Sequence, residues 1–194
     1  MPLPGYIEPL ISDKKVASVV PTRSRCARKF LSDLELSPDA TVVEYGPGNG
    51  VFTKILLSKL SKKARLFAFE TNPKLSALLQ DEIKDPRLTV FEKDAQVAVD
   101  VLGNDGLRGV DLVLSGIPLS FLNHDARMEL FRKTKDLLKP GGVFLIYQTA
   151  WTPFKADSKI VTELTDYFSL IDRDFFWFNI PPLVALYLSN PVKQ

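Results

Sequence analysis

Two hydrophobic periods take turns along this chain. Short runs of strand-forming residues recur at 41–46 (TVVEYG), 65–70 (RLFAFE), 88–92 (LTVFE), 110–115 (VDLVLS) and 142–149 (GVFLIYQT). Between them, apolar residues three and four apart predict helices over 50–60, 73–84 and 124–138. The last of these, HDARMELFRKTKDLL, runs into Lys139-Pro140-Gly141-Gly142, which reads as a helix stop followed by a turn. Strands alternating with helices imply a parallel sheet with right-handed crossovers. The tail breaks that rhythm. Two β-rich segments, 167–178 and 183–190, are joined by Asn179-Ile180-Pro181-Pro182, too short for a helical crossover, so they should pair antiparallel. The expected fold is α/β, a seven-stranded, mostly parallel sheet closed by a C-terminal antiparallel hairpin.

Residues 1–35 stand apart from the domain expected over 36–194. In TRSRCARKFLSDLE, Cys26, Ala27, Phe30, Leu31 and Leu34 fall on one helical face. Arg23, Arg25, Arg28 and Lys29 crowd the rest, with Lys14 and Lys15 upstream. Two readings stay open: a core-packing helix with a solvated basic face, or an amphipathic helix that meets an anionic surface.

Composition narrows the class. Over 194 residues the chain is 45% hydrophobic and 25% charged, with a net charge of +2. These values suit one ordinary globular domain and give no argument for nucleic acid. A single cysteine, Cys26, excludes an intramolecular disulfide and fits a reducing cytoplasm. The opening MPLPGYIEPL does not read as a signal peptide. The longest apolar candidate, IPPLVALYL, is too short to span a bilayer, so any membrane contact is expected to be peripheral. No metal site is expected.

After the first predicted strand comes Glu44-Tyr45-Gly46-Pro47-Gly48-Asn49-Gly50, an E-x-G-x-G-x-G pattern. A strand, a glycine turn and a helix start cradle a nucleotide-like ligand on bare backbone N–H groups. The dinucleotide fingerprint would need glycine at Val51, and no triphosphate loop is present. Glu70 ends the second strand and Asp94 follows the third. At the shared strand edge the first can accept both hydroxyls of a ribose and the second an adenine amino group.

With those residues in place the chain resembles the class I S-adenosylmethionine-dependent methyltransferases, through VVEYGPGNG, FAFETNP, EKDA, DLVLSGIPL and LLKPGGVFLIY. The resemblance implies a Rossmann-like fold and S-adenosyl-L-methionine as cofactor. It places the cofactor against Glu44, Gly46, Gly48, Gly50, Glu70, Asp94, Ala95 and Ser115. Gly46, Gly48 and Gly50 would line the methionine portion.

The acceptor segment is Ser115-Gly116-Ile117-Pro118-Leu119. Methylases of planar amino groups carry [N/D]-P-P-[Y/F] there, and the related ribosomal RNA adenine dimethylases N-L-P-Y or N-I-P-Y. Here the polar start and the aromatic are both replaced, and a base would lose stacking worth about 1–3 kcal/mol. SGIPLSFL is instead similar to the SG-L-P-L segment of bacterial phospholipid N-methyltransferases, as are KKVASVVPTRSRCARKFL and FFWFNIPPLVALYL to their ends. The acceptor this implies is phosphatidylethanolamine or another amino lipid at the inner face of the membrane, with the basic helix docking on anionic lipid. An RNA or small-molecule acceptor is the alternative, and a non-catalytic cofactor-binding protein a different class. Nucleic acid and an obligate protein partner are not expected. A protonated amine must lose a proton before attack; Tyr45, Ser115, His124 and Tyr147 are the candidates to take it or its hydrogen bond, with water as a further possibility. Tyr147 and Trp151 could also face a methylated ammonium.

Overall fold

The computed structural model describes residues 24–191 except 105, 108, 150–155 and 178–181. Helix α1 (Ser24–Phe30) precedes β1 (Thr41–Tyr45), α2 (Val51–Lys59), β2 (Arg65–Phe69), α3 (Pro73–Glu82) and β3 (Leu88–Phe91). Then come α4 (Ala98–Asn104), β4 (Val110–Ser115), α5 (His124–Leu137), β5 (Leu138–Thr149), α6 (Ala156–Thr165), β6 (Ser169–Phe176) and β7 (Leu183–Ser189). The sheet runs β3-β2-β1-β4-β5-β7-β6. Its first five strands are parallel, and β7 lies antiparallel between β5 and β6. The seven-stranded sheet and its antiparallel hairpin are as the sequence predicted.

Strand β1 is buried at every position because helices cover both faces of the sheet. Alternation then sends successive side chains to opposite cores. Val43, Tyr45, Val113 and Ile146 pack with Leu130 and Phe131 of α5. Val42, Leu112, Leu114 and Leu145 pack with Phe52 and Leu56 of α2, and with α1.

The apolar face of α1 is spent on that second core: Cys26, Ala27, Phe30 and Leu31 are buried, while Arg25, Arg28 and Lys29 face outward. Of the two readings of this helix, core packing describes its apolar side. Phe30 meets four aromatic rings, with centroids 5.5 Å from Phe52, 6.2 Å from Tyr147, 6.2 Å from Phe176 and 5.4 Å from Tyr187. The Tyr187 hydroxyl also donates to the Phe30 carbonyl at 3.0 Å. Lys14, Lys15 and Arg23 lie outside the described residues.

Three elements differ from expectation. Lys139-Pro140-Gly141-Gly142 is not a separate turn but an irregularity inside β5, which begins at Leu138; the register with β4 shifts there and Gly141 has φ 76°. Asn190 holds it, donating to the Leu138 carbonyl at 2.9 Å and exchanging backbone bonds with Gly141 and Gly142. Helices α4 and α6 escaped the periodicity. The first is 7 residues long with only Ala98 and Leu102 buried, and the second is 10 residues with mixed β-branched and polar positions.

Truncating Phe30 removes the ring that the others pack on. Phe30→Ala should cost about 3–5 kcal/mol in denaturant unfolding, the range for a buried aromatic. A loss below 1 kcal/mol would show that the cluster does not hold α1.

Candidate functional site

The parallel strands end on one edge, and their connections build the site there. Between β1 and α2 the chain turns on Gly46, Gly48 and Gly50, all left-handed at φ 65°, 57° and 73°. L side chains rarely adopt that conformation, which explains three glycines in five positions. Gly50 has a second reason, since a Cβ there would lie 2.6 Å from Leu79 of α3. Helix α2 starts without a side-chain cap or an acidic first turn, leaving its N–H groups open to a ligand.

Two buried carboxylates flank this loop. Glu70, just past β2, accepts from Gly48 N at 3.1 Å and Asn72 N at 2.9 Å. Asn72 in turn caps α3, its side chain accepting from Lys74 N and Leu75 N. Glu44 lies in β1, its Oε2 accepting from Thr53 Oγ1 at 2.7 Å. Its Oε1 is buried and has no partner among the described residues. Burial pushes the Glu44 carboxyl up to about 8; the Thr53 hydrogen bond opposes this and the nearby Glu70 charge reinforces it. Asp94, exposed past β3, caps the turn over Ala95–Val97 by accepting from Gln96 N at 2.8 Å, and Ala95 beside it is buried. Left-handed glycines, an uncapped helix start, and an orphaned carboxylate oxygen near a second acid fit a ligand with a ribose and a positive charge.

Alternation divides the candidate proton acceptors. Tyr45 pairs in register with Ser115, and Ser115 with Ile146, so all three point to the core opposite Glu44. Tyr45 is 1% exposed against Phe69, and desolvation drives its hydroxyl far above the usual phenol range. Its assignment as a proton acceptor is therefore corrected. Ser115 is also fully buried, and its Oγ accepts from Ile117 N at 3.3 Å, which shapes the turn after β4. His124 Nδ1 lies 3.0 Å from Glu163 Oε1 of α6. Arg127 grips the same carboxylate at 2.7 and 2.8 Å and holds it down at about 2. His124 thus belongs to a clamp between two helices, with only its Nδ1 engaged there.

Tyr147 remains. It lies on the Glu44 side of the sheet, its ring stacked on Phe52 at 4.2 Å and 24°, with Phe30 against it. The face pressed on Phe52 is not open to an ammonium, and Trp151 lies outside the described residues. Leu119 is 0% exposed in the core, so it neither lines an acceptor space nor leaves room for a stacking ring. Sequence reading missed Gln148. Its Oε1 accepts from Leu119 N at 3.0 Å and its Nε2 donates to the Ile117 carbonyl at 2.7 Å, pinning the 116–119 turn to β5. A polar side chain closing an apolar strand run was the available signal. Among the described residues no cluster of metal-ligating side chains occurs, and no helix is long and apolar enough to cross a membrane.

A sequence model described as ribosomal RNA adenine dimethylase matches residues 23–99. Ornithine lipid N-methyltransferase from Singulisphaera acidiphila is 26% identical over 181 residues, covering 92% of this chain and 90% of that protein. Ribosomal RNA small subunit methyltransferase A from Chlorobium phaeobacteroides is 34% identical over 108 residues, 54% of this chain but 36% of that protein. The N-methyltransferase NodS from Bradyrhizobium japonicum, solved with S-adenosyl-L-homocysteine, superposes with a TM-score of 0.69 at 13% identity, covering 96% of this chain and 99% of that one.

The raised Glu44 value sets a sign. An acid whose folded pKa lies above its unfolded value stabilises the fold below the unfolded value, and that contribution is lost as pH rises through the folded one. Thermal stability without cofactor should therefore fall between about pH 4.5 and pH 8, and Glu44→Gln should flatten that slope. An equal slope in the variant would contradict a desolvated Glu44.

Proposed function

Starting from a chain that is a class I S-adenosylmethionine-dependent methyltransferase, we propose that it methylates the amine of a lipid headgroup, either phosphatidylethanolamine or an amino lipid such as an ornithine lipid. The observation that carries this reading is the match to a lipid N-methyltransferase along 92% of the chain, against RNA-type matches over residues 23–99 and over 54% of the chain. The acceptor turn supports it. With Leu119 in the core, a base at this turn would lack the ring that stacks it, worth about 1–3 kcal/mol.

When bound, S-adenosyl-L-methionine supplies an activated methyl group on a sulfonium. Gly46, Gly48 and Gly50 would offer backbone to its methionine portion, Glu70 would accept the ribose hydroxyls, and Asp94 with Ala95 would meet the adenine. Glu44, once ionised, would bring negative charge towards the positive end of the ligand. The protein orients the amine for in-line attack and excludes water around it. Gln148 holds the acceptor turn in place for that step.

A headgroup amine lies at the bilayer surface, so the enzyme works there, at the inner face of the membrane. Arg25, Arg28 and Lys29 are exposed on α1 and each gains about 1 kcal/mol near anionic lipid. Apolar insertion by Phe30 and Leu31 is not part of the proposal, because both are buried. Docking by this face is electrostatic and weakens with salt.

Glu70→Ala should weaken cofactor binding by about 1.5–3 kcal/mol in calorimetry; unchanged affinity would place the ribose elsewhere. Labelled methyl transfer, resolved by headgroup, should appear on phosphatidylethanolamine or ornithine-lipid vesicles and not on unmodified ribosomal RNA. Transfer to RNA alone would overturn the lipid reading. Replacing Arg25, Arg28 and Lys29 by Glu should abolish co-sedimentation with anionic vesicles at low salt while cofactor binding persists. Retained sedimentation would remove α1 from docking.

A further inference from the structure

Gly116 opens the acceptor turn, its N–H donating to the Tyr45 carbonyl at 2.9 Å. A Cβ on this residue would collide with the Tyr147 hydroxyl and lie 2.5 Å from its Cζ, with the Gly46 carbonyl 3.1 Å away. The phenol oxygen therefore occupies the space that any side chain at 116 would fill. That space is the seam between the glycine loop and the acceptor turn, bounded on one side by Gly46 and on the other by Gly116 and Ile117. The Tyr147 ring has little freedom to leave it. Phe52 stacks on one face, Phe30 packs against it, and β5 holds its backbone to Ala185 of β7.

From this arrangement we infer that Gly116 and Tyr147 form one acceptor-selecting device, in which the glycine clears the seam and the Tyr147 hydroxyl holds the substrate amine by accepting one of its N–H bonds. The inference rests on the lipid-amine reading above. What the clamped ring offers at the seam is a hydroxyl, not an open aromatic face, which suits a tetrahedral amine and gives a flat base nothing to stack on. The chemistry balances without a protein base. The ammonium first gives a proton to water. The nitrogen lone pair then forms the N–CH3 bond as the S–CH3 bond breaks, and the bonding pair returns to sulfur as a thioether. Throughout, the hydroxyl fixes one N–H and so aims the lone pair.

The number of N–H bonds supplies a test that a merely structural role would not meet. A neutral primary amine has two, a monomethyl amine one, and a dimethyl amine none. Tyr147→Phe keeps the ring on Phe52 and removes only the oxygen. It should lower kcat at least tenfold on phosphatidylethanolamine vesicles, less on the monomethyl lipid, and least on the dimethyl lipid, with cofactor affinity and Tm unchanged. Gly116→Ala, whose Cβ forces the hydroxyl and the turn apart, should reproduce the loss, and combining both should add little. If the wild type methylates a lipid amine and Tyr147→Phe stays within twofold on all three acceptors, or loses equally on all three, the pairing is wrong while the lipid reading stands. A wild type inactive on every lipid amine would remove the lipid reading and this device with it.

Discussion

The ring of Phe30 is the point on which the parts of this molecule lean. It carries α1, touches Phe52 at the start of the helix after the glycine loop, and backs Tyr147 at the end of β5. It also reaches Phe176 and Tyr187, tying the antiparallel hairpin to the same cluster. One edge-to-face contact is worth only about 0.5–1.5 kcal/mol beyond the area it buries. Three such contacts and a tilted fourth on one ring make α1 part of the site's foundation. The basic helix that faces a membrane in the proposed function therefore also steadies the tyrosine beside the acceptor turn.

Around that cluster the site obeys strand alternation. Glu44 and Tyr45 are neighbours in sequence but lie in different environments. One is a desolvated acid bonded to Thr53 on the α2 side, and the other is a core phenol against Phe69. The same rule sets Tyr147 apart from Ile146 and puts Ser115 in register with Tyr45. Charges away from the loop serve the frame instead: the Arg127–Glu163 pair fastens α5 to α6 and takes His124 with it.

Much of this was legible in the sequence. The strand runs are apolar enough to show as period-two segments, and the glycine loop has a backbone reason for every glycine. Glu70 and Asp94 were readable because parallel strands bring their ends to one edge. What stayed hidden depends on which way a side chain points. Tyr45 and Ser115 look like ligand residues at strand ends, and only the register shows that both face the core. Leu119 sits in an acceptor motif yet is spent on packing. The bulge at Lys139–Gly142 uses the residues of a turn, and only its pairing with β4 and Asn190 reveals a strand.

The central claim is that an amine, not a base, sits between the glycine loop and the turn after β4. A crystal structure with S-adenosyl-L-homocysteine and glycerophosphoethanolamine tests it most directly. The account predicts the amine nitrogen within hydrogen-bond distance of Tyr147 Oη, on the side of Gly116 that faces the cofactor sulfur. An amine bound away from that seam, with the Tyr147 hydroxyl turned from the sulfur, would contradict it.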